Sequence, residues 1–297
     1  MTESEWPATR WQLTAPESYV LLNGPNASAS QAFKLGVMEL VARGVLALDS
    51  VTQGVRRHQV ARLRDGPRAS APREPALEVI YSIYQRTPSH SYEDGTHGTR
   101  VENVARAAVR QYGNLARYVR QDVLPALVER RLYERQERRI LWLFSTTSYV
   151  PTPEGVAARA ELEGLLQVGQ QRLFGWARDD PNRALDYATV AGSALLLQPE
   201  MFPYLPRTRS PADPSTPYSD ADFSDAGNVD LGGFDFSNFD LGDFGGFDAA
   251  MSALDSAIDA VGGGDGGGDS GGDGGGGGDG GGGGDGGGGG DGGGGGD

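Results

Sequence analysis

The chain has no cysteine among its 297 residues, a single lysine and only three histidines. Without cysteine there is no disulfide framework and no thiolate metal site, and the redox compartment is left open. No stretch approaches the ~18 to 20 consecutive apolar residues that a bilayer-spanning helix needs. The opening Met1-Thr2-Glu3-Ser4-Glu5 is acidic and leads into no apolar run, so a secretory signal is not expected. The expected location is the cytoplasm, with peripheral contact at the inner face of the membrane. No P-loop, dinucleotide fingerprint or nucleophile elbow occurs. An enzyme is therefore not expected, nor a cofactor or a small-molecule substrate. His90 and His97 share a segment with Glu93 and Asp94. They lack the i, i+4 register and third imidazole that would mark a metal site, and no metal is expected.

Charge is present but unevenly spread. Up to position 199 there are 24 basic and 21 acidic residues, leaving +3, whereas residues 201–297 carry 2 against 18, leaving −16. All the basic residues except Lys34 are arginine, whose planar fork suits phosphates, carboxylates and aromatic faces. A genome biased to GC-rich codons gives the same preference without any functional choice.

Two stretches nearly repeat. Leu40-Val41-Ala42-Arg43-Gly44-Val45-Leu46 and Leu127-Val128-Glu129-Arg130-Arg131-Leu132-Tyr133 each end an amphipathic helix and run into an arginine-bearing strand. In the first copy a short helix over 17–22 stops at Asn23-Gly24-Pro25-Asn26. Ser28 or Ser30 then caps a second helix with Phe33, Val37, Leu40 and Val41 on one face, and Gly44 ends it. Residues 45–48 and 55–63 read as a hairpin turning near Thr52-Gln53-Gly54. In the second copy a helix over 77–85 is followed by one continuous helical spacing through Val101, Val104, Ala108, Tyr112, Leu115 and Val119. Pro125 predicts a break just before it and a short last helix ending near Arg131. Ile140-Leu141-Trp142-Leu143-Phe144 reads as one buried strand. Thr152-Pro153 starts a helix with a Leu162, Leu165, Leu166 and Leu173 stripe, and Asp180-Pro181 starts another that is apolar from Ala184 through Leu197.

The expected fold is mainly α, with two winged-helix-like modules bearing small β-hairpin wings, a C-terminal helical pair and a long disordered Gly/Asp-rich tail. The expected domains are 1–70 and 74–199, followed by a Phe/Asp-rich linker at 200–261 and low-complexity sequence at 262–297. Within the linker, Met251, Leu254, Ile258 and Val261 space out one short amphipathic helix that would need a partner. The tail's glycine and aspartate invite a calcium β-roll, but such repeats need an apolar core residue and none follows Val261. The tail therefore reads as a solvated polyanion.

Candidate anion or nucleic-acid contacts are the wing arginines Arg56, Arg57 and Arg62, then Arg135, Arg138 and Arg139, and the helical pair Arg117 and Arg120. Each could receive a phosphate with salt-dependent affinity. Glu134 and Glu137 offset the second wing, whereas a nucleic-acid domain is usually clearly basic.

Tyr19-Val20-Leu21-Leu22-Asn23-Gly24 followed by Phe33 to Leu46 resembles the cytoplasmic region of the YciQ-like family of bacterial membrane proteins. Thr152-Pro153-Glu154-Gly155, Asp180-Pro181 and the glycine-rich tail extend the likeness to roughly two thirds of the chain. The resemblance implies architecture and no reaction, and the family's transmembrane helices have no counterpart here. Ala116-Arg117-Tyr118-Val119-Arg120 with Leu127-Val128-Glu129-Arg130 resembles instead the arginine pair and following helix of the Golgi phosphoprotein 3 family. That family consists of helical, phosphoinositide-binding adaptors. Its other lipid-contacting arginine falls near Phe33 and its tryptophan has no match, so the implied anion site is incomplete.

The expected role is a non-enzymatic interaction or scaffold protein with a protein partner. Two alternatives stand beside it: a winged-helix DNA-binding regulator with an autoinhibitory acidic tail, and an adaptor for anionic lipid.

Overall fold

The computed structural model describes residues 11–53, 58–92, 95–140 and 144–198, together with Ser252 and Ser256. The chain divides into units 1–265 and 266–297, and every described residue belongs to the first. The Gly/Asp tail and nearly all of the Phe/Asp segment lie outside the described residues, as does most of the short helix expected there.

The described part is mainly helical, with small antiparallel hairpins. Helices α1 (Ala15–Asn23) and α2 (Ala29–Ala42) lead into strands β1 (Leu46–Gln53) and β2 (His58–Asp65). Then come α3 (Pro75–Arg86), two short strands β3 (His90–Ser91) and β4 (His97–Arg100), and α4 (Val101–Tyr112). A three-residue α5 (Ala116–Tyr118) passes into a π-helical turn over Val119–Val123 and on to α6 (Leu124–Glu129). Strands β5 (Tyr133–Ile140) and β6 (Phe144–Pro151) form the second hairpin, and α7 (Pro153–Asp179) and α8 (Pro181–Ala191) the C-terminal pair, closed by a 3₁₀ segment at Gly192–Leu197.

The near repeat is a repeated helix exit. After α2, Val45 N–H donates to Leu40 C=O and Gly44 N–H to Val41 C=O, both at 2.9 Å. After α6, Leu132 donates to Leu127 and Arg131 to Val128, again at 2.9 Å. Each is a Schellman motif, with Gly44 (φ 68°) and Arg131 (φ 63°) in the left-handed position. Each exit is then tied to the end of its own hairpin, by Gly66 N–H to Val45 C=O and by Thr152 N–H to Leu132 C=O. A glycine suits this conformation, whereas an arginine there carries a cost of about 1 kcal/mol. Arg131→Gly is accordingly expected to raise stability by about 0.5 to 1 kcal/mol, read as a higher urea midpoint at unchanged m-value.

The two copies are not separate domains. Strand β4 pairs with β2 through Arg62↔Arg100 and Leu63↔Thr99, so the first hairpin is half of a four-stranded antiparallel sheet ordered β1-β2-β4-β3. One hydrophobic cluster runs from Ala15 through Leu40, Ile80, Tyr118 and Leu162 to Leu196. The boundary expected between 70 and 74 is crossed by both. Tyr118 is the hinge pin of this shared core: fully buried, it meets the Phe33 ring edge-on at 5.6 Å and donates to Ala76 C=O at 3.2 Å. Gly36 allows α3 this close, because a Cβ there would sit 2.3 Å from Ile80 Cδ1.

Other expectations are corrected. The helix expected through Val119 breaks at Gly113 (φ 78°), whose N–H caps Val109 C=O at 2.7 Å. Ile140 and Phe144 do not share one strand, since they pair with each other across the hairpin end; 141–143 lie outside the described residues. The charged stretch Glu134 to Arg139 forms the strand instead, because a two-stranded ribbon tolerates polar residues that a core strand does not. The last helix ends at Ala191, where Gly192 (φ 49°) turns the chain into the 3₁₀ segment. The caps read from sequence are present: Ser28 Oγ accepts from Gln31 N–H, Thr152 Oγ1 from Gly155 N–H and Asp180 Oδ1 from Arg183 N–H.

Candidate functional site

The arginines singled out by sequence fall into three groups. Arg56 and Arg57 lie outside the described residues. Arg138 and Arg139 are placed only by strand register, opposite Thr146 and Ser145.

Arg62 and Arg135 are neutralised. Arg62 is 4% exposed, donates through Nε to Asp49 Oδ1 at 2.5 Å and through Nη1 to Thr96 Oγ1, and lies over the Tyr92 ring. Asp49 also takes Arg64 at 2.7 Å. This is a buried ionic clamp between β1, β2 and the β3–β4 hairpin, so Arg62 is no surface contact for an anion. The pattern misled because a strand residue beside Arg64 could be read as lying on the outer part of a hairpin, while the pairing of β4 against β2 covers it. Arg135 is exposed but pairs with Glu137 at 2.7 Å, two positions along the same strand face.

Arg117 and Arg120 form the third group. Both are exposed, and neither has an ion pair among the described residues. Their segment is fixed on its other side by buried Leu115, Tyr118, Val119 and Val123. Asn114 Oδ1 caps it by accepting from Arg117 N–H at 3.2 Å. The π turn follows from Pro125. Leu124 N–H donates to Val119 C=O, five residues back, and in that register the next donor would meet Arg120 C=O. Proline has no N–H to give. The Tyr149 hydroxyl of β6 donates to that carbonyl instead, at 3.4 Å. Tyr112 reaches over from α4 to donate to Asp122 Oδ2 at 2.6 Å, and burial raises the Asp122 carboxyl above its ordinary range. The arginine pair thus sits on an over-determined piece of backbone at the foot of the second hairpin. Tyr149→Phe should leave the Arg120 carbonyl short of a donor and cost about 1 kcal/mol of stability in urea unfolding. A change within 0.3 kcal/mol would show that the bond contributes nothing.

Sequence reasoning missed the buried acids. Glu17, in the first turn of α1, and Glu39, in the last turn of α2, are both 0% exposed. Glu17 completes a capping box with Thr14, and Glu39 Oε2 accepts from Ala15 N–H at 2.6 Å. Arg43 bridges Glu39 at 2.5 Å and Glu74 at 2.7 Å, while Arg130 approaches Glu17 at 3.4 Å. Burial outweighs these partners and raises both buried carboxyls, Glu39 to about 7. A signal was available, since Glu39 interrupts the otherwise apolar Leu35-Gly36-Val37-Met38 and Leu40-Val41-Ala42.

His90 and His97 stand on paired strands, bonded to Asn103 and Ser91 respectively, and Glu93 and Asp94 lie outside the described residues. Among the described residues no group of three or more His, Cys, Asp or Glu side chains could hold a metal ion. None of their helices is long and apolar enough to cross a membrane. Comparison of the chain with protein-family models and with curated proteins finds no match to either.

Proposed function

We propose that the chain is a non-enzymatic interaction protein, an adaptor that meets an anionic membrane surface through Arg117 and Arg120 and leaves its other faces to protein partners. One observation carries this reading. These are two exposed guanidinium groups, one helical turn apart, with no carboxylate paired to them among the described residues. Arg43, Arg62, Arg130 and Arg135 each have one within 4.0 Å, and Arg106 and Arg110 on α4, though also exposed and unpaired among the described residues, lack the π turn that fixes the backbone under Arg117 and Arg120. Arginine forks bind phosphate oxygens bidentately, and a pair on a rigid turn can hold one headgroup without ordering a loop first. The same pair is what resembles the arginine pair of the Golgi phosphoprotein 3 adaptors. It implies peripheral attachment at the inner face of a membrane, where anionic lipids lie.

The DNA-regulator reading has less to stand on. It needs a run of phosphate contacts along the wings, and of the wing arginines whose side chains are described, Arg62 is buried and Arg135 is paired. Two contacts give a salt slope of only about −2, far shallower than the slope of a groove-binding domain.

The test is sedimentation of the full chain with phosphatidylserine-containing vesicles and with neutral phosphatidylcholine vesicles at low and high salt, beside anisotropy of a duplex DNA. The proposal expects pelleting with the anionic vesicles alone, lost at high salt. Duplex binding without vesicle binding would replace it with the regulator, and binding to neither would leave a scaffold working through protein contacts only.

A further inference from the structure

A cleft of about 540 Å³ opens between α1, α2 and α7, on the seam where the first helices meet the C-terminal pair. That is within the range of a ligand site, roughly 300 to 1,000 Å³. Its polar lining is unusual in kind. Five neutral amides face it, Asn23, Gln31, Gln167, Gln170 and Gln198, and its charged residues Arg159 and Glu163 pair with each other at 2.8 Å. Among the described lining residues no net charge is offered to a ligand. Leu35 and Leu166, both buried, supply an apolar floor beside these amides.

The amides are underused. A glutamine carries two donors and an acceptor with two lone pairs. The side-chain amides of Gln31, Gln167 and Gln170 make no hydrogen bond among the described residues, and Gln198, 8% exposed, donates Nε2 to Leu166 C=O while its Oε1 has no donor there. A buried amide oxygen without a donor costs about 1 to 3 kcal/mol. Asn23 comes from α1, Gln31 from α2, and Gln167 and Gln170 from α7, so the opposite walls both present donors and acceptors.

We infer that this cleft is a binding site for a short, uncharged, extended peptide segment. A peptide is the ligand class in which donor and acceptor groups alternate with apolar side chains, matching amide walls over a leucine floor. Among the described lining residues an anion or cation would find no counter-charge that Arg159 and Glu163 do not already satisfy in each other. A saccharide would match the amides but would leave the leucine floor facing hydroxyls, with Tyr19 the single ring to stack on among the described lining residues. The site lies on helices other than those bearing Arg117 and Arg120, so it does not depend on how that pair is read.

The experiment uses the full chain labelled with ¹⁵N, following glutamine side-chain amide signals assigned by single substitutions. The probes are N-acetyl-Leu-Ala-Leu-Ala-amide and maltose. The peptide is expected to move the signals of Gln31, Gln167 and Gln170 in a saturable way, and maltose to leave them in place. Gln167→Leu with Gln170→Leu, both at exposed positions, should fold normally and weaken peptide binding at least tenfold. No movement at millimolar peptide, movement by maltose alone, or undiminished binding by the double variant would each overturn the inference.

Discussion

Stability is expected to fall as pH rises from about 5 to 8, and Glu39→Gln is expected to remove most of that fall. Glu39 is fully buried, and burial, the largest influence on it, raises its carboxyl from 4.5 to about 7 against the opposing pull of Arg43 and the Ala15 N–H. A group raised in the folded state favours folding fully below its unfolded value, and that contribution is lost as pH climbs through the folded one. Between 4.5 and about 7 it amounts to about 3 kcal/mol. Glu17, also raised by burial and facing Arg130, acts in the same direction. Glu74 is lowered by Arg43 and works the other way, but its loss begins only below its unfolded value, outside this window. Urea midpoints at pH 5 and pH 8 check the prediction. The glutamine variant should match the wild type at the lower pH and exceed it at the higher one. A wild-type midpoint that rises with pH would contradict the assignment.

Arg117→Glu together with Arg120→Glu is expected to reduce association with phosphatidylserine vesicles by at least about 30-fold. Each basic residue held near an anionic surface contributes about 1 kcal/mol. Losing two such contributions already corresponds to about 30-fold, and the introduced carboxylates add repulsion. Because both side chains are exposed, the stability read from urea unfolding should change by no more than about 0.5 kcal/mol. Loss of binding with intact folding separates a contact surface from a structural role. Arg135→Glu serves as the comparison: it removes a cation already paired with Glu137 and should change binding severalfold at most.

Local structure was legible where one residue type dictates a backbone state. Thr152-Pro153, Asp180-Pro181, Ser28 and Gly44 mark helix ends by capping chemistry that acts within four residues, and Pro125 foretold the irregular turn before it. Tertiary pairing was not legible in this way. Nothing in the composition of His97-Gly98-Thr99-Arg100 announces that it adds to β2, yet that pairing buries Arg62 and turns a presumed surface cation into part of the sheet. Propensity alone puts the apolar run Ile140 to Phe144 on one strand, but it is weaker than the register set by Tyr133↔Pro151 at the hairpin's base, which pairs Ile140 with Phe144. The arginine pair was found because its helical spacing is local. That it has no ion pair among the described residues is a long-range fact, visible only once Glu17, Glu39 and Glu74 are placed against other arginines.

The most direct test of the arginine face uses the absence of cysteine, which makes any introduced thiol the chain's single one. A nitroxide is placed at Gln121→Cys, exposed and adjacent to Arg120, and in a second sample at Gln171→Cys, exposed on α7. On adding phosphatidylserine vesicles, the account predicts that the label at 121 becomes shielded from an aqueous relaxation agent while the label at 171 does not. Shielding at 171 with position 121 left open would contradict it.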